Sequence, residues 1–191
     1  MIGSSLCNSY NINQRRRFFD EIIRFTEASE AEQRSRLRGN ILTLEEYWSL
    51  RLGTSAVYIS SAMSEFSMLS CLPPHIMNCQ PMQDLWNETN IIISTTNDLL
   101  SLKKETMFGS IDNIVPIIFA STNDIDQSIS EAVVTLCASK ERFDKAARAL
   151  LIVVVEDEFK EQATKFIEIQ RSNCVGNLVW RYDFVSPADN H

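Results

Sequence analysis

Three oxygen-bearing side chains of different kinds recur four residues apart in the stretch Asn97-Asp98-Leu99-Leu100-Ser101-Leu102-Lys103-Lys104-Glu105. On a helix, positions i and i+4 lie one turn apart on the same face, so Asn97, Ser101 and Glu105 form one polar stripe. An amide carbonyl, a hydroxyl and a carboxylate are hard donors that suit Mg²⁺, an ion that keeps several waters and is held by few protein oxygens together with substrate phosphates. The chemistry on offer is a magnesium ion shared with a diphosphate. The plainer alternative is that polar side chains of an amphipathic helix face water, and for any one of the three taken singly it is the better account.

Such a stripe needs a long helix to carry it. Pro81 suits a first helical turn and Gly109 a stop, which predicts one helix from about 82 to 107. Upstream, Phe18, Phe19, Ile22, Ile23 and Phe25 fall on one side of a helical wheel, predicting an amphipathic helix from Gln14 to Leu37; Arg15 to Arg17 at its start read as a solvated face. Thr43 and Glu46 make a capping box ahead of Leu44, Tyr47, Trp48 and Leu50, and Gly53-Thr54-Ser55 predicts a kink in the helix that follows. Pro73-Pro74 stops the next segment. A short apolar helix is expected from Asn113 to Ala120, another opened by a Ser128/Glu131 capping box and running to about Val155, and a last one from about Phe159 to Trp180. No internal repeat, linker or period-2 strand stands out, so the fold class is all-α, an antiparallel helical bundle.

Composition agrees and excludes several functions. The 191 residues are 45% apolar or aromatic, enough for one sizeable core, and contain only five glycines and five prolines, which leaves little strand punctuation. Eighteen Lys and Arg against 25 Asp and Glu give a net charge of -7, which argues against nucleic acid as a partner. Five scattered cysteines with no C-x-x-C pair fit reduced thiols and a cytoplasmic setting. Two histidines, His75 and His191, are poor material for a zinc site or a His-based triad. The longest apolar run, Ala149 to Val155, is far below the roughly 20 residues that span a bilayer, so no membrane association is expected.

The stretch from Asn97 to Glu105 resembles the Asn-Ser-Glu metal motif of class I terpene cyclases, (Asn/Asp)-Asp-(Leu/Ile/Val)-x-(Ser/Thr)-x-x-x-Glu, at every defined position. Upstream, Glu45-Glu46-Tyr47-Trp48-Ser49-Leu50-Arg51-Leu52-Gly53-Thr54 resembles the segment that bears the family's pyrophosphate-sensing arginine. Arg51 takes that position, 46 residues before Asn97, and Gly53-Thr54-Ser55 sits where the family breaks this helix. Ile111 to Pro116 and Glu131-Ala132-Val133 are similar to the next two helix starts in the fungal branch, and Gly176 to Trp180 resembles the last cyclase helix, so the likeness spans about residues 40 to 180. No Asp-Asp pair occurs in the chain, whereas the family's first metal motif is Asp-rich; the expected domain is therefore a partial cyclase over residues 1 to 191, truncated and inactive alone.

The resemblance implies the class I terpenoid synthase fold, Mg²⁺ as cofactor (three ions in a complete site) and an isoprenyl diphosphate such as farnesyl diphosphate as substrate. It further implies Asn97, Ser101 and Glu105 as ligands of one Mg²⁺. Arg51 and Lys104 become diphosphate contacts, with Arg181 and Tyr182 as weaker candidates because they follow Trp180 directly. Moving up the helical face from Asn97 gives Ile93, Asn90 and Trp86 as cavity wall, the Trp86 ring being able to face a cation. Arg51 has an alternative as a surface cation paired with Glu45 or Glu46. Half of a helical barrel is also expected to self-associate through its uncovered apolar faces. A noncatalytic helical interaction module or remnant and a prenyl diphosphate synthase-like protein remain the rival readings.

Overall fold

The computed structural model describes residues 9–39 and 41–185, the last six by backbone alone. The described residues form helices and loops without strands. Helix α1 (Ile12–Arg38) starts at Asn11, which makes a capping box with Gln14, and stops at Gly39, whose φ of 71° is the left-handed turn glycine allows. Helix α2 (Leu44–Thr54) begins at the Thr43/Glu46 capping box, as the pattern predicts. Ala56 then takes φ 60° and turns the chain into α3 (Val57–Ala62), followed by the short α4 (Ser64–Met68) and α5 (Pro74–Met77). The long α6 (Gln80–Met107) carries the polar stripe, with Pro81 in its first turn. Helix α7 (Ile114–Thr122) is capped by Asn113, and α8 (Ile125–Val153) and α9 (Asp157–Val185) complete the described chain.

Helix α8 corrects one expectation. It opens at Asp124, whose side chain accepts the Gln127 N–H, and Ser128 lies inside the helix with its hydroxyl donating back to the Asp124 carbonyl. The Ser128/Glu131 pair is therefore no cap, because a stronger capping side chain stands four residues earlier. The apolar run from Ala149 is helical through Val153, with Val154 as an extended C-cap. Arg17 also departs from its reading as solvated: it pairs with the buried Glu65 of α4, whose second oxygen accepts the Leu72 N–H.

Cross-contacts give the directions. Residues 82–86 of α6 share a core with residues 143–150 of α8, while Leu99 and Leu102 pack near Ala132 and Ile129, so α6 and α8 run antiparallel. Helix α9 runs with α6, because Phe166 stacks on Trp86 at 6.3 Å and the Asn177 amide donates to the Ile93 carbonyl at 3.4 Å. Helix α1 runs against the chain from 53 to 65, meeting Glu65, Tyr58 and Gly53 in reverse order.

Two apolar cores result. The larger contains Leu72, Met82, Leu85, Phe143, Leu150 and Phe166, and the smaller packs Tyr47 with Ile114, Val115, Ile118 and Ala132. The smaller core matters most for function, since it presses the start of α7 and the middle of α2 onto the motif-bearing end of α6. No helix among the described residues is long and apolar enough to cross a membrane.

Candidate functional site

Asn97, Ser101 and Glu105 stand on successive turns of α6 and share one face. The Asn97 carbonyl oxygen of the side chain meets the Arg51 guanidinium at 3.4 Å, the Ser101 hydroxyl donates to the Asn97 backbone carbonyl at 2.7 Å, and one Glu105 oxygen accepts from the Asn113 amide at 2.9 Å. A hydroxyl whose proton is spent on the helix backbone keeps its lone pairs free to accept. The donor set therefore suits a hard divalent cation with an open, water-sharing shell: one carboxylate, one amide oxygen and one hydroxyl. Among the described residues no three His, Cys, Asp or Glu side chains gather around a metal position. A dense carboxylate or imidazole cage is thus not what this stripe offers.

Arg51 does not pair with Glu45 or Glu46. It reaches from α2 to α6 and places its guanidinium 2.6 Å from Asp98, a pair whose side chains are 20% and 1% exposed. Asp98 is the residue that sequence reasoning passed over, although it occupies a defined motif position. Its carboxylate also accepts the Tyr47 hydroxyl and the Ile114 backbone N–H, the latter at the N-terminus of α7, where the helix dipole favours negative charge. Burial pushes the Asp98 carboxyl above its ordinary range against the pull of Arg51, and burial beside Asp98 pushes the Tyr47 phenol far up, so Tyr47 remains a hydrogen-bond donor.

From sequence, Asn113 marked only the start of a short apolar helix, and the structure makes it the cap of α7. Fully buried, it accepts the Val115 N–H through Oδ1 and donates through Nδ2 to the Asp98 carbonyl at 2.8 Å and to Glu105. The three candidate ligands, Arg51, Asp98 and Asn113 thus make one connected polar cluster at the C-terminal end of α6. Lys104 is exposed on the same helix. The side chains of Arg181 and Tyr182 lie outside the described residues.

The face above Asn97 divides. Ile93 borders a groove of about 340 Å³ at the α2–α3 break, with Ser55, Ala56, Val57, Gly176 and Asn177. Trp86 is largely buried, stacked between Phe166 and Tyr58, and touches a separate cavity of about 540 Å³ on the α1 side that includes Arg17, Glu21 and Arg24. Asn90 lines neither. Its amide accepts from Ser55 at 2.7 Å and from Ser94 at 3.0 Å, and donates at 2.8 Å to the Leu52 carbonyl, which the helix break has left without its i+4 partner. Asn90 is a strut that holds the break open, and Ile93 borders the groove at that break, one helical turn before Asn97.

Comparison with known proteins adds four findings. Residues 2–142 match the family model described as terpene synthase family 2, C-terminal metal binding. The sesquiterpene cyclase hepA of Aspergillus oryzae is 34% identical over 183 residues, which are 94% of this chain and 50% of that protein. Sesquiterpene synthase 6 of Postia placenta is 34% identical over 105 residues, 55% of this chain and 31% of its own. The chain therefore spans half or less of the length of these relatives. Among solved structures, the linalool/nerolidol synthase of Streptomyces clavuligerus in complex with 2-fluorogeranyl diphosphate superposes with a TM-score of 0.85 at 15% identity, covering 93% of this chain and 62% of that one; this likeness shows the fold.

Proposed function

The chain belongs to the class I terpene cyclases of terpene synthase family 2, and on that premise we propose that it carries the second metal motif of a sesquiterpene cyclase acting on an isoprenyl diphosphate such as farnesyl diphosphate. The observation that carries this reading is the meeting of Arg51 with Asn97 and Asp98 across 46 residues of sequence. It sets a cation beside a hard-oxygen stripe, the pair of features a magnesium diphosphate requires.

In this reading Asn97, Ser101 and Glu105 hold one Mg²⁺, and Arg51 donates to diphosphate oxygens, with exposed Lys104 as a second donor. Bound Mg²⁺ supplies charge neutralisation for the leaving diphosphate. The protein's own residues do the rest: Tyr47 and Asp98 fix Arg51 before the ligand arrives, which spares reorganisation at the moment of reaction. The groove beside Ile93 lies one turn from Asn97 and receives the start of the isoprenyl chain. A cytoplasmic setting belongs to the same reading and is supported by five scattered cysteines with no C-x-x-C pair.

Ionisation in this family draws on further metal ions held by an Asp-rich motif, and no Asp-Asp pair occurs in these 191 residues. The chain by itself is therefore expected to bind magnesium pyrophosphate and to release no cyclic hydrocarbon. The test is incubation of the purified chain with Mg²⁺ and farnesyl diphosphate, analysed by gas chromatography, alongside calorimetric titration with pyrophosphate. Magnesium-dependent pyrophosphate binding that disappears in Glu105→Gln supports the site. Its absence from the unsubstituted chain would sink the metal reading. A cyclic product that vanishes in Glu105→Gln would refute the expected inactivity and direct attention to Asp157 and Glu161 as replacement ligands.

A further inference from the structure

Glu105 stands near the end of α6, where the helix gives way to Phe108 and the left-handed Gly109. A carboxylate on three rotatable bonds in such a place samples many rotamers unless something holds it, and a metal ligand that must be ordered on binding loses affinity accordingly. What holds it is Asn113, at the far end of the loop. Its side chain makes three hydrogen bonds, which use both donors: the carbonyl accepts the Val115 N–H at 3.0 Å, and the two amide hydrogens go to the Asp98 carbonyl at 2.8 Å and Glu105 Oε2 at 2.9 Å. These partners fix the orientation of the amide, because a backbone N–H must face oxygen and a carboxylate must face N–H.

From this geometry we infer that Asn113 is a positioning residue for Glu105, tying up one carboxylate oxygen so that the other is presented to the cation; the inference rests on the metal reading of the stripe given above. The same amide grips the Asp98 carbonyl two turns earlier, so the ligand and the residue that orients Arg51 are referenced to one buried side chain. A capping asparagine needs only its oxygen for the cap. The two donated bonds therefore serve something other than the start of α7.

The experiment separates these two uses. Asn113→Ser keeps a capping oxygen but is too short to reach Glu105. Asn113→Asp keeps the cap and the length but sets a second carboxylate against Glu105. Asp124→Ala, which removes the cap of the neighbouring helix α8, is the control for destabilisation alone. Binding of Mn²⁺ to the full chain, in the presence of inorganic pyrophosphate, is followed by the loss of the free Mn²⁺ paramagnetic resonance signal, and each variant's thermal midpoint is measured in parallel. The expected result is a loss of Mn²⁺ affinity of about 10-fold or more in Asn113→Ser and a larger loss in Asn113→Asp. Asp124→Ala should keep the affinity of the unsubstituted chain despite a lower midpoint. Wild-type affinity in Asn113→Ser, or an equal loss in Asp124→Ala, would overturn the inference while leaving the metal site standing. If Glu105→Gln does not weaken Mn²⁺ binding either, the metal reading itself fails and the inference with it.

Discussion

Arg51 and Asp98 illustrate how a side chain can hold two jobs. The pair is buried enough that removing one partner leaves a charge without compensation, so Arg51→Ala is expected to destabilise the chain by about 3 kcal/mol in urea unfolding, and Asp98→Asn in the same background to recover part of that. Failure of the double substitution to recover anything would show that Asp98 is satisfied by Tyr47 and Ile114 alone. A loss of diphosphate binding in Arg51→Ala must accordingly be read beside its stability. At this scale the chemistry-bearing residues were legible where type and spacing are local: the stripe of Asn97, Ser101 and Glu105 is a pattern within nine residues. Asp98 and Asn113 were not, because nothing in a lone aspartate or a capping asparagine announces that its partner stands 47 or 8 residues away.

At the scale of elements, Gly53 changed meaning. Weak helix formers at 53 to 55 predicted a kink, and the chain does turn, but at Ala56; α2 runs unbroken through Gly53. The glycine is there because α1 crosses so closely that a Cβ would overlap the Cβ of Ala28. Gly53→Ala is thus expected to lower stability by about 1–3 kcal/mol through overpacking, despite alanine's better helix propensity, and to weaken pyrophosphate binding by moving Arg51 two residues away. An unchanged or raised midpoint in a thermal melt would show that α1 gives way freely. Capping boxes were readable at Thr43 and misleading at Ser128, since a cap is decided by competition among nearby side chains and Asp124 stood first. The close approach at Gly53 had no such local trace, being a property of two helices at once.

For the whole molecule, the all-α class followed from composition and periodicity, whereas the pairing of helices depended on contacts that only the fold reveals. The structure leaves considerable apolar surface open. Ile12, Phe19, Ile23 and Leu37 are exposed along nearly one line of α1, and Val175, Leu178 and Val179 are exposed on α9. Surface of this kind predicts self-association of the isolated chain at micromolar concentration, which sedimentation velocity measures; a single monomeric boundary across that range would contradict it. Helix α6 has a different consequence. Glu88 is bonded to Ser139 and Arg142 of α8, Asn90 to the α2–α3 break, Asp98 to Arg51, and Glu105 to Asn113, four polar attachments spread along one rod. A slip of one residue would turn all four by about 100° together, so no single neighbour can drag the helix into a new register. Kinematically, α6 is the stationary axis of the molecule. The α2–α3 break, Arg51 of α2 and the Asn113 cap of α7 all take their positions from it.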